Sequence, residues 1–236
     1  MKPNPPIELS IVMPCLNEAK TLGICVEKAK DYMRENQING EIIVADNGSS
    51  DGSQQLAEKL GTRIVHVELK GYGYALQGGI SSARGKYVIM GDSDASYDFY
   101  HLKGFMEKLR SGYHLVMGNR YQGGIAKGAM PFLHYFIGNP MISLIGRTLF
   151  DSTIGDFFCG LRGFRKGAYD KWDMCSGGME FAIEMAVKAI LSEMKIIEVP
   201  TTLTQDGRDR KSHIKTWADG VKAIETLIKW RIKGFN

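Results

Sequence analysis

KYVIMGDSD, Lys86 to Asp94, decides how this chain is read. An apolar run, Lys86 to Gly91, ends on Asp92-Ser93-Asp94. A short apolar run bounded by turn residues reads as a buried strand. Carboxylates two residues apart at its tip leave on the same side, because side chains alternate with period two. Such a pair of hard oxygen ligands suits Mg²⁺ or Mn²⁺, ions that keep waters and share phosphate oxygens. Asp also ends strands and opens helices where no metal binds, so the pair gains meaning only from its surroundings.

Those surroundings alternate strand and helix. Glu8–Pro14 reads as a buried strand, Thr21–Asn36 as a helix, Glu41–Asp46 as a strand and Asp51–Leu60 as a helix. Arg63–Val67, a helix around Tyr74–Ala83, the strand Lys86–Asp92, the helix Phe99–Ser111 and the strand His114–Gly118 follow. Short apolar strands between longer helical stretches predict an α/β fold, a mostly parallel sheet with helices on both faces. Ligands of such sheets sit at the carboxyl ends of the strands. The expected strand ends carry Pro14-Cys-Leu-Asn17-Glu18, Asp46-Asn47-Gly48, Asp92-Ser93-Asp94 and Gly118-Asn119-Arg120-Tyr121, so three acidic loops and one arginine loop share one rim.

The second half changes character. Met130–Arg165 is rich in Gly and aromatics, Gly178–Leu191 reads as an amphipathic helix, and Ile196–Thr204 as a strand. The basic segment Gly207–Lys211 and a last helix from about Ile214 close the chain. A soft boundary at Gly123-Gly124 divides a nucleotide-binding half, about 7–122, from an acceptor half, about 123–236, within a single domain that shares one core. At 236 residues the chain can bury a substantial core.

Net charge is +4, unevenly placed. Residues 207–236 hold eight Lys/Arg against three Asp/Glu, and the remainder 22 against 23, so the basic excess is C-terminal. Such an end meets a membrane surface, nucleic acid or an anionic substrate. No stacking-aromatic or zinc-finger pattern supports nucleic acid. Four cysteines lie without CxxC pairing, as expected of structural thiols in a reducing, cytoplasmic setting. No stretch reads as a transmembrane helix. Met130–Gly146 lacks Asp, Glu, Lys and Arg but is interrupted by His134 and Asn139-Pro140, so it reads as two short helices, buried or lying in a membrane interface.

The dinucleotide fingerprint is absent: PCLNEAKT follows the first strand in place of GxGxxG. Gly71-Tyr-Gly73 lacks the third glycine and alone reads as a close-packed turn, although Gly73 is kept among the nucleotide-sugar-binding candidates. Asp46, at the tip of the second strand, is placed to bond a ribose hydroxyl or a base NH.

Taken in order, VMPCLNE (12–18), IVADNGSSDGS (43–53), GYGYALQGGISSARGKYVIMGDSDAS (71–96) and GNRYQGG (118–124) resemble family 2 glycosyltransferases of the GT-A fold. DFFCGLRGFRK (156–166), GMEFAIEMAVKA (178–189) and EVPTTLTQDGRDRKSH (198–213) extend the likeness to roughly residues 8–217. Within that family the chain looks like the polyprenyl-phosphate hexose synthases, the dolichyl-phosphate mannose or glucose synthase group. The resemblance implies that Pro14, Leu16, Asn17 and Glu18 line the nucleoside pocket with Asp46. It implies that Asp92 and Asp94 bind the metal–diphosphate, with Ser93 between them. Ser96 takes a position that contributes a metal contact in some relatives. Arg120 would bind phosphate, and Arg208, Arg210 or Lys211 would close over the diphosphate or the acceptor phosphate, a task suited to the planar guanidinium.

The implied activity is transfer of a hexose, with inversion, from a nucleotide-sugar (UDP-glucose, GDP-mannose or a near relative) to a polyprenyl phosphate, with Mg²⁺ or Mn²⁺. A phosphate acceptor, largely dianionic at neutral pH, needs no strong base. A hydroxyl acceptor on a glycan or small molecule would need one, and Glu180 or Glu184, four apart on one helix, are the candidates. Asp156 is expected to orient Arg162 or Arg165. A reading from another class is a non-catalytic nucleotide-sugar-binding protein at the membrane. Many relatives continue beyond the basic helix into transmembrane segments. Here Trp217, Val221, Ile224, Ile228 and Ile232 recur at helical spacing, with Lys222, Glu225, Lys229, Arg231 and Lys233 elsewhere around the helix. The expectation is peripheral attachment to the inner face of the membrane.

Overall fold

The computed structural model describes residues 5–208 and 216–234, with the backbone alone for 216–219. Chain order begins β1 (Leu9–Cys15), α1 (Leu22–Glu35), β2 (Gly40–Asp46), α2 (Ser53–Lys59), β3 (Arg63–His66), α3 (Tyr72–Ser82), β4 (Tyr87–Met90), α4 (Lys103–Arg110) and β5 (Leu115–Asn119). A single turn, α5 (Arg120–Gly123), follows, then a π-helical turn at His134–Gly138 that runs directly into α6 (Asn139–Phe150). The chain goes on through β6 (Arg162–Arg165), α7 (Lys166–Tyr169), α8 (Phe181–Leu191), β7 (Ile196–Pro200) and α9 (Thr216–Lys233).

The strands form one sheet in the order β3-β2-β1-β4-β6-β5-β7. All neighbours pair in parallel except β6, which runs antiparallel to both β4 and β5. Period-two alternation sorts the sheet residues into two cores. Leu9, Ile11, Met13, Ile42, Val44, Tyr87, Ile89 and Val116 face one layer, with Leu22, Val26 and Ala29 of α1 and Phe105 and Leu109 of α4. Val12, Ile43, Val88, Met90, Leu115 and Met117 face the other, with Leu76 and Ile80 of α3, Phe181 and Met185 of α8, and Leu227 of α9. Each buried Leu, Ile or Phe contributes about 1.5–3 kcal/mol, so two apolar faces per strand hold the three layers together.

Three differences from the sequence reading have physical causes. β6 is read from Arg-Gly-Phe-Arg, which carries no strand signal. It lies in the middle of the sheet because Arg162, fully buried, donates to the carbonyls of Cys159, Ala182 and Phe157 at 2.9, 2.5 and 2.7 Å. Gly163 leaves room for Leu109 and Ile89. β4 stops at Met90, two residues before the first carboxylate. Pro140 does not break its segment, because it falls in the first turn of α6, where its missing N–H removes no helical bond.

Candidate active site

The chain leaves β1 toward β2 and β3, then returns to place β4 on the other side of β1. Strand order therefore reverses between β1 and β4, where the carboxyl ends diverge and α/β sheets bind their ligands. Ser93 Oγ donates to the Pro14 carbonyl at 2.7 Å and Gly91 N to the Val12 carbonyl, closing the floor of that crevice.

Asp92 and Asp94 stand in a loop past the strand, so alternation does not aim them. Local bonds do. Asp94 Oδ1 accepts from the amide and the hydroxyl of Ser96 at 3.0 and 2.6 Å, and Ala95 takes the left-handed conformation, φ 65°, that turns the loop back. The Tyr72 phenol lies beside Asp92: a Cβ at Gly160 would stand 2.9 Å from Asp92 Oδ2 and 3.5 Å from the Tyr72 hydroxyl. Withdrawal from water, and then the adjacent Asp94, push the Asp92 carboxyl up to about 7. The two acids thus crowd their oxygens into one spot.

A strap from the other end of the chain covers that spot. Thr204 N donates to the Ser96 carbonyl at 3.0 Å and Gly207 N to the Asp94 carbonyl at 2.9 Å. The strap delivers Arg208, whose Nη2 reaches Asp94 Oδ2 at 2.5 Å and Asp206 Oδ2 at 3.3 Å, while Nη1 stands 3.4 Å from Glu18 Oε1. Burial alone would weaken the charge on this guanidinium, but Asp94, Glu18 and Asp206 outweigh it and raise its pKa. Three carboxylates surround one cation. Arg210 and Lys211 lie outside the described residues.

The β1 and β2 loops interlock. Asn17, at φ 58°, accepts from Ser50 N at 2.8 Å and its own amide donates to Ser49 Oγ at 2.9 Å. Glu18 N donates to Ser53 Oγ at 2.9 Å, and Asp51 Oδ2 accepts from Ala19 N at 2.9 Å. Pro14 is the penultimate residue of β1 and Leu16 the first residue beyond it. Asp46, nearly fully buried, accepts from Gly48 N at 3.0 Å, Ser49 N at 3.2 Å and Gln54 Nε2 at 2.7 Å. Its oxygens organise the loop that holds Asn17.

Other candidates fall elsewhere. Gly73 is a packing residue: its amide donates to the Gly177 carbonyl at 2.8 Å, and a Cβ would meet the Ser176 carbonyl at 2.2 Å. Glu184 is fully buried in α8. It accepts from the amides of Cys175 and Ser176 at 3.1 and 2.7 Å and pairs with Lys188 at 3.0 Å. Burial would raise its pKa, but those bonds outweigh burial and lower it, so Glu184 has no oxygen left for an acceptor. Glu180, half-buried just ahead of α8, accepts from Gly178 N at 3.1 Å.

Arg120, expected on phosphate, is 7% exposed and gripped by Asp156: Nε to Oδ2 and Nη2 to Oδ1, both at 2.7 Å. The expectation for Asp156 is corrected in the same contact. Its partner is Arg120, because Arg162 is already satisfied by carbonyls. Glu198 supports Asp156 from β7 through the amides of Gly155 and Asp156, at 2.8 and 2.9 Å. Tyr72 and this Glu198–Asp156–Arg120 chain escaped the sequence reading, since each links segments far apart in sequence, and Asp206 escaped it although Arg208 is only two residues on.

Among the described residues no group of three or more His, Cys, Asp and Glu side chains is placed to hold a metal outright. Asp94, with Asp92 beside it, instead suits an ion that completes its shell with phosphate and water, as Mg²⁺ does. Asp94 already shares a guanidinium with Glu18 and Asp206, a grouping of acids complementary to positive charge.

Comparison with known proteins bears on the family and the fold. The family model for glycosyl transferase family 2 matches residues 10–173. The low-salt glycan biosynthesis hexosyltransferase Agl6 of Haloferax volcanii is 35% identical over 221 residues, 93% of this chain and 53% of that protein. The dolichyl-phosphate hexose transferase of the same organism is 26% identical over 94% of this chain and 93% of its own length. The chain thus spans about half the length of Agl6. Glucosyl-3-phosphoglycerate synthase of Mycobacterium tuberculosis, solved with Mn²⁺, UDP-glucose and phosphoglyceric acid, superposes with a TM-score of 0.74 at 19% identity, covering 97% of this chain and 81% of that one. The same enzyme solved with Mg²⁺ and UDP gives 0.72, also at 19% identity, with 97% and 80% covered.

Proposed function

The chain belongs to glycosyl transferase family 2 and has the GT-A fold, and from that premise we propose that it transfers a hexose from a nucleotide-sugar to a polyprenyl phosphate, with inversion and with Mg²⁺ or Mn²⁺. The observation that carries this reading is the Asp92-Ser93-Asp94 loop at the β1/β4 switch point, closed by a strap whose Arg208 stands where a cation would.

In this reading Pro14, Leu16, Asn17, Glu18 and the loop built by Asp46 hold the nucleoside, and Ser93 fixes the loop between the two acids. Asp92 and Asp94 hold the divalent ion. When bound, that ion would neutralise the donor diphosphate and stabilise it as a leaving group. Arg208 exchanges its carboxylates for phosphate oxygens, which a guanidinium grips bidentately. Arg120, locked on Asp156, acts through its charge beneath Asp92 and orients the rim. An acceptor phosphate oxygen bonds the anomeric carbon as the bond from that carbon to the donor phosphate oxygen breaks, and the electron pair leaves with the nucleoside diphosphate. No proton need be removed, because the acceptor phosphate is largely dianionic. The saturation of Glu184 supports a reaction without that base, and the hexose-to-dolichyl-phosphate relative supports the lipid acceptor.

The nucleotide half, 7–122, and the acceptor half, 123–236, act as one domain, since β4 of the first pairs with β6 of the second. Peripheral attachment to a membrane belongs to the same proposal. The test is incubation with radiolabelled nucleotide-sugars, metal and a short polyprenyl phosphate, with label counted in the organic phase. Label there at a metal-dependent rate is the expected result. Donor turnover that labels only hydroxyl acceptors would replace the lipid assignment.

A further inference from the structure

Among the described residues, most of the exposed large apolar side chains lie just ahead of the π-helical turn, on it, and on α6 and α9, with Ile24, Leu69 and Tyr100 elsewhere. Phe132 is 73% and Phe136 59% exposed, their rings 4.6 Å apart, and Ile137, Met141 and Leu144 are exposed beside them. Ile137, Met141, Leu144 and Thr148 recur at spacings of four, three and four, one face of a helix. The opposite face, Ile142, Gly146 and Phe150, is buried against the domain. α9 repeats the pattern. Its Ala223 and Leu227 are buried, while Val221, Ile228 and Ile232, within roughly 40° of one another at helical pitch, point outward. Lys222 and Lys229 border that ridge on one side and Arg231 on the other, all exposed. The two helices pack against each other, so the ridges are neighbours.

Charge identifies what covers them. From Gly124 to Phe150 there is no Asp or Glu, whereas Lys127 and Arg147 are present. The exposed charges of α9 between Gly220 and Lys233 are Lys222, Lys229, Arg231 and Lys233 against Glu225. An apolar ridge edged with cations matches the boundary between acyl chains and anionic headgroups. A second copy would lay the same cations against each other, since a two-fold contact uses one patch twice.

The surface is continuous with the site. Tyr121, next to Arg120, donates its hydroxyl to the Tyr135 carbonyl at 3.1 Å, with the two rings 5.7 Å apart. Ala126 N donates to the Leu203 carbonyl at 2.9 Å and Gln205 Nε2 to the Lys127 carbonyl at 2.8 Å, so the segment leading to Phe132 is tied to the strap over Asp94.

We propose that the π-helical turn, α6 and α9 form one docking surface for an anionic lipid bilayer, which brings the strap side of the site to the membrane. The proposal rests on the lipid-acceptor reading and specifies the surface by which that acceptor is met. The test is flotation of the purified protein with phosphatidylcholine vesicles, with and without phosphatidylglycerol. The protein is expected to float with the anionic vesicles, less as salt rises. The pairs Phe136→Ser/Leu144→Ser and Lys229→Glu/Arg231→Glu should each weaken partitioning by roughly tenfold or more. Unfolding temperature and transfer to detergent-dispersed polyprenyl phosphate should stay near those of the unsubstituted protein. Equal flotation of all variants would overturn the proposal, as would no flotation at all. A dimer that Phe136→Ser/Leu144→Ser dissolves, without vesicle binding, would overturn it in favour of self-association. Vesicle binding that these pairs abolish, in a protein that labels no lipid, would support the surface while removing the lipid-acceptor reading.

Discussion

Asp94 and Arg208 are the two residues on which the proposed chemistry turns, and each gives a separate measurement. Asp94→Asn keeps the shape of the loop and the bonds from Ser96 but removes the charge that would face a divalent ion. Transfer should fall by about 10²–10³-fold, while the unfolding temperature stays within a few degrees, because the residue lies in a loop above the core. Arg208 is the opposite case. Its guanidinium holds Asp94, Glu18 and Asp206, so in the absence of donor it competes with any metal for the same oxygens. Arg208→Gln should bind Mn²⁺ roughly tenfold more tightly without donor, the scale of one lost charge contact at partial burial, and turn over more slowly once donor and acceptor are added. Free Mn²⁺ read by electron paramagnetic resonance checks the first half, steady-state rates the second.

At the scale of elements, what the sequence disclosed and what it concealed separate by physics. β1, β2 and β4 were legible because apolar runs end in Pro, Asp and Gly. The rim was legible because its acids and amides fall at those ends. β6 was not, since its buried Arg162 depends on carbonyls contributed by Phe157, Cys159 and Ala182, which no local pattern announces. Arg120 was expected on phosphate and Asp156 on Arg162 or Arg165, and the pair that these two make with each other was hidden because it spans 36 residues. Gly73 and Glu184 were kept as candidate ligand or base residues, and both also tie α3 and α8 to the 175–178 loop. Gly73→Ala should therefore destabilise the fold by about 1–3 kcal/mol, through its contact with the Ser176 carbonyl, as a chemical denaturation curve would show. Glu184→Gln breaks a buried ion pair and should remove roughly 3 kcal/mol, or about 6–12 °C in unfolding temperature for a chain of this size. The folded pKa of Glu184 is lowered from 4.5. Its contribution is therefore present above that value and lost as pH falls through the depressed folded value. The difference between variant and unsubstituted protein should shrink below about pH 4.5. If Glu184 were instead the general base, turnover would collapse in the folded variant.

For the whole molecule, one seven-strand sheet carries both proposed halves: β4 and β6 join across the Gly123-Gly124 boundary that the sequence offered as a division. The proposed donor and acceptor sites would therefore share one continuous sheet. Of the C-terminal basic residues, Lys222, Lys229 and Arg231 edge an apolar ridge on α9. Among the described residues no helix is long and apolar enough to cross a membrane. The most direct measurement is transfer of label from a nucleotide-sugar into the organic phase, with a short polyprenyl phosphate and Mg²⁺ or Mn²⁺, repeated with the metal chelated and with Asp94→Asn. Lipid label that requires the acceptor, the metal and Asp94 is the expected result. Lipid label undiminished by chelation and by Asp94→Asn, or donor consumption that never labels lipid, would contradict it.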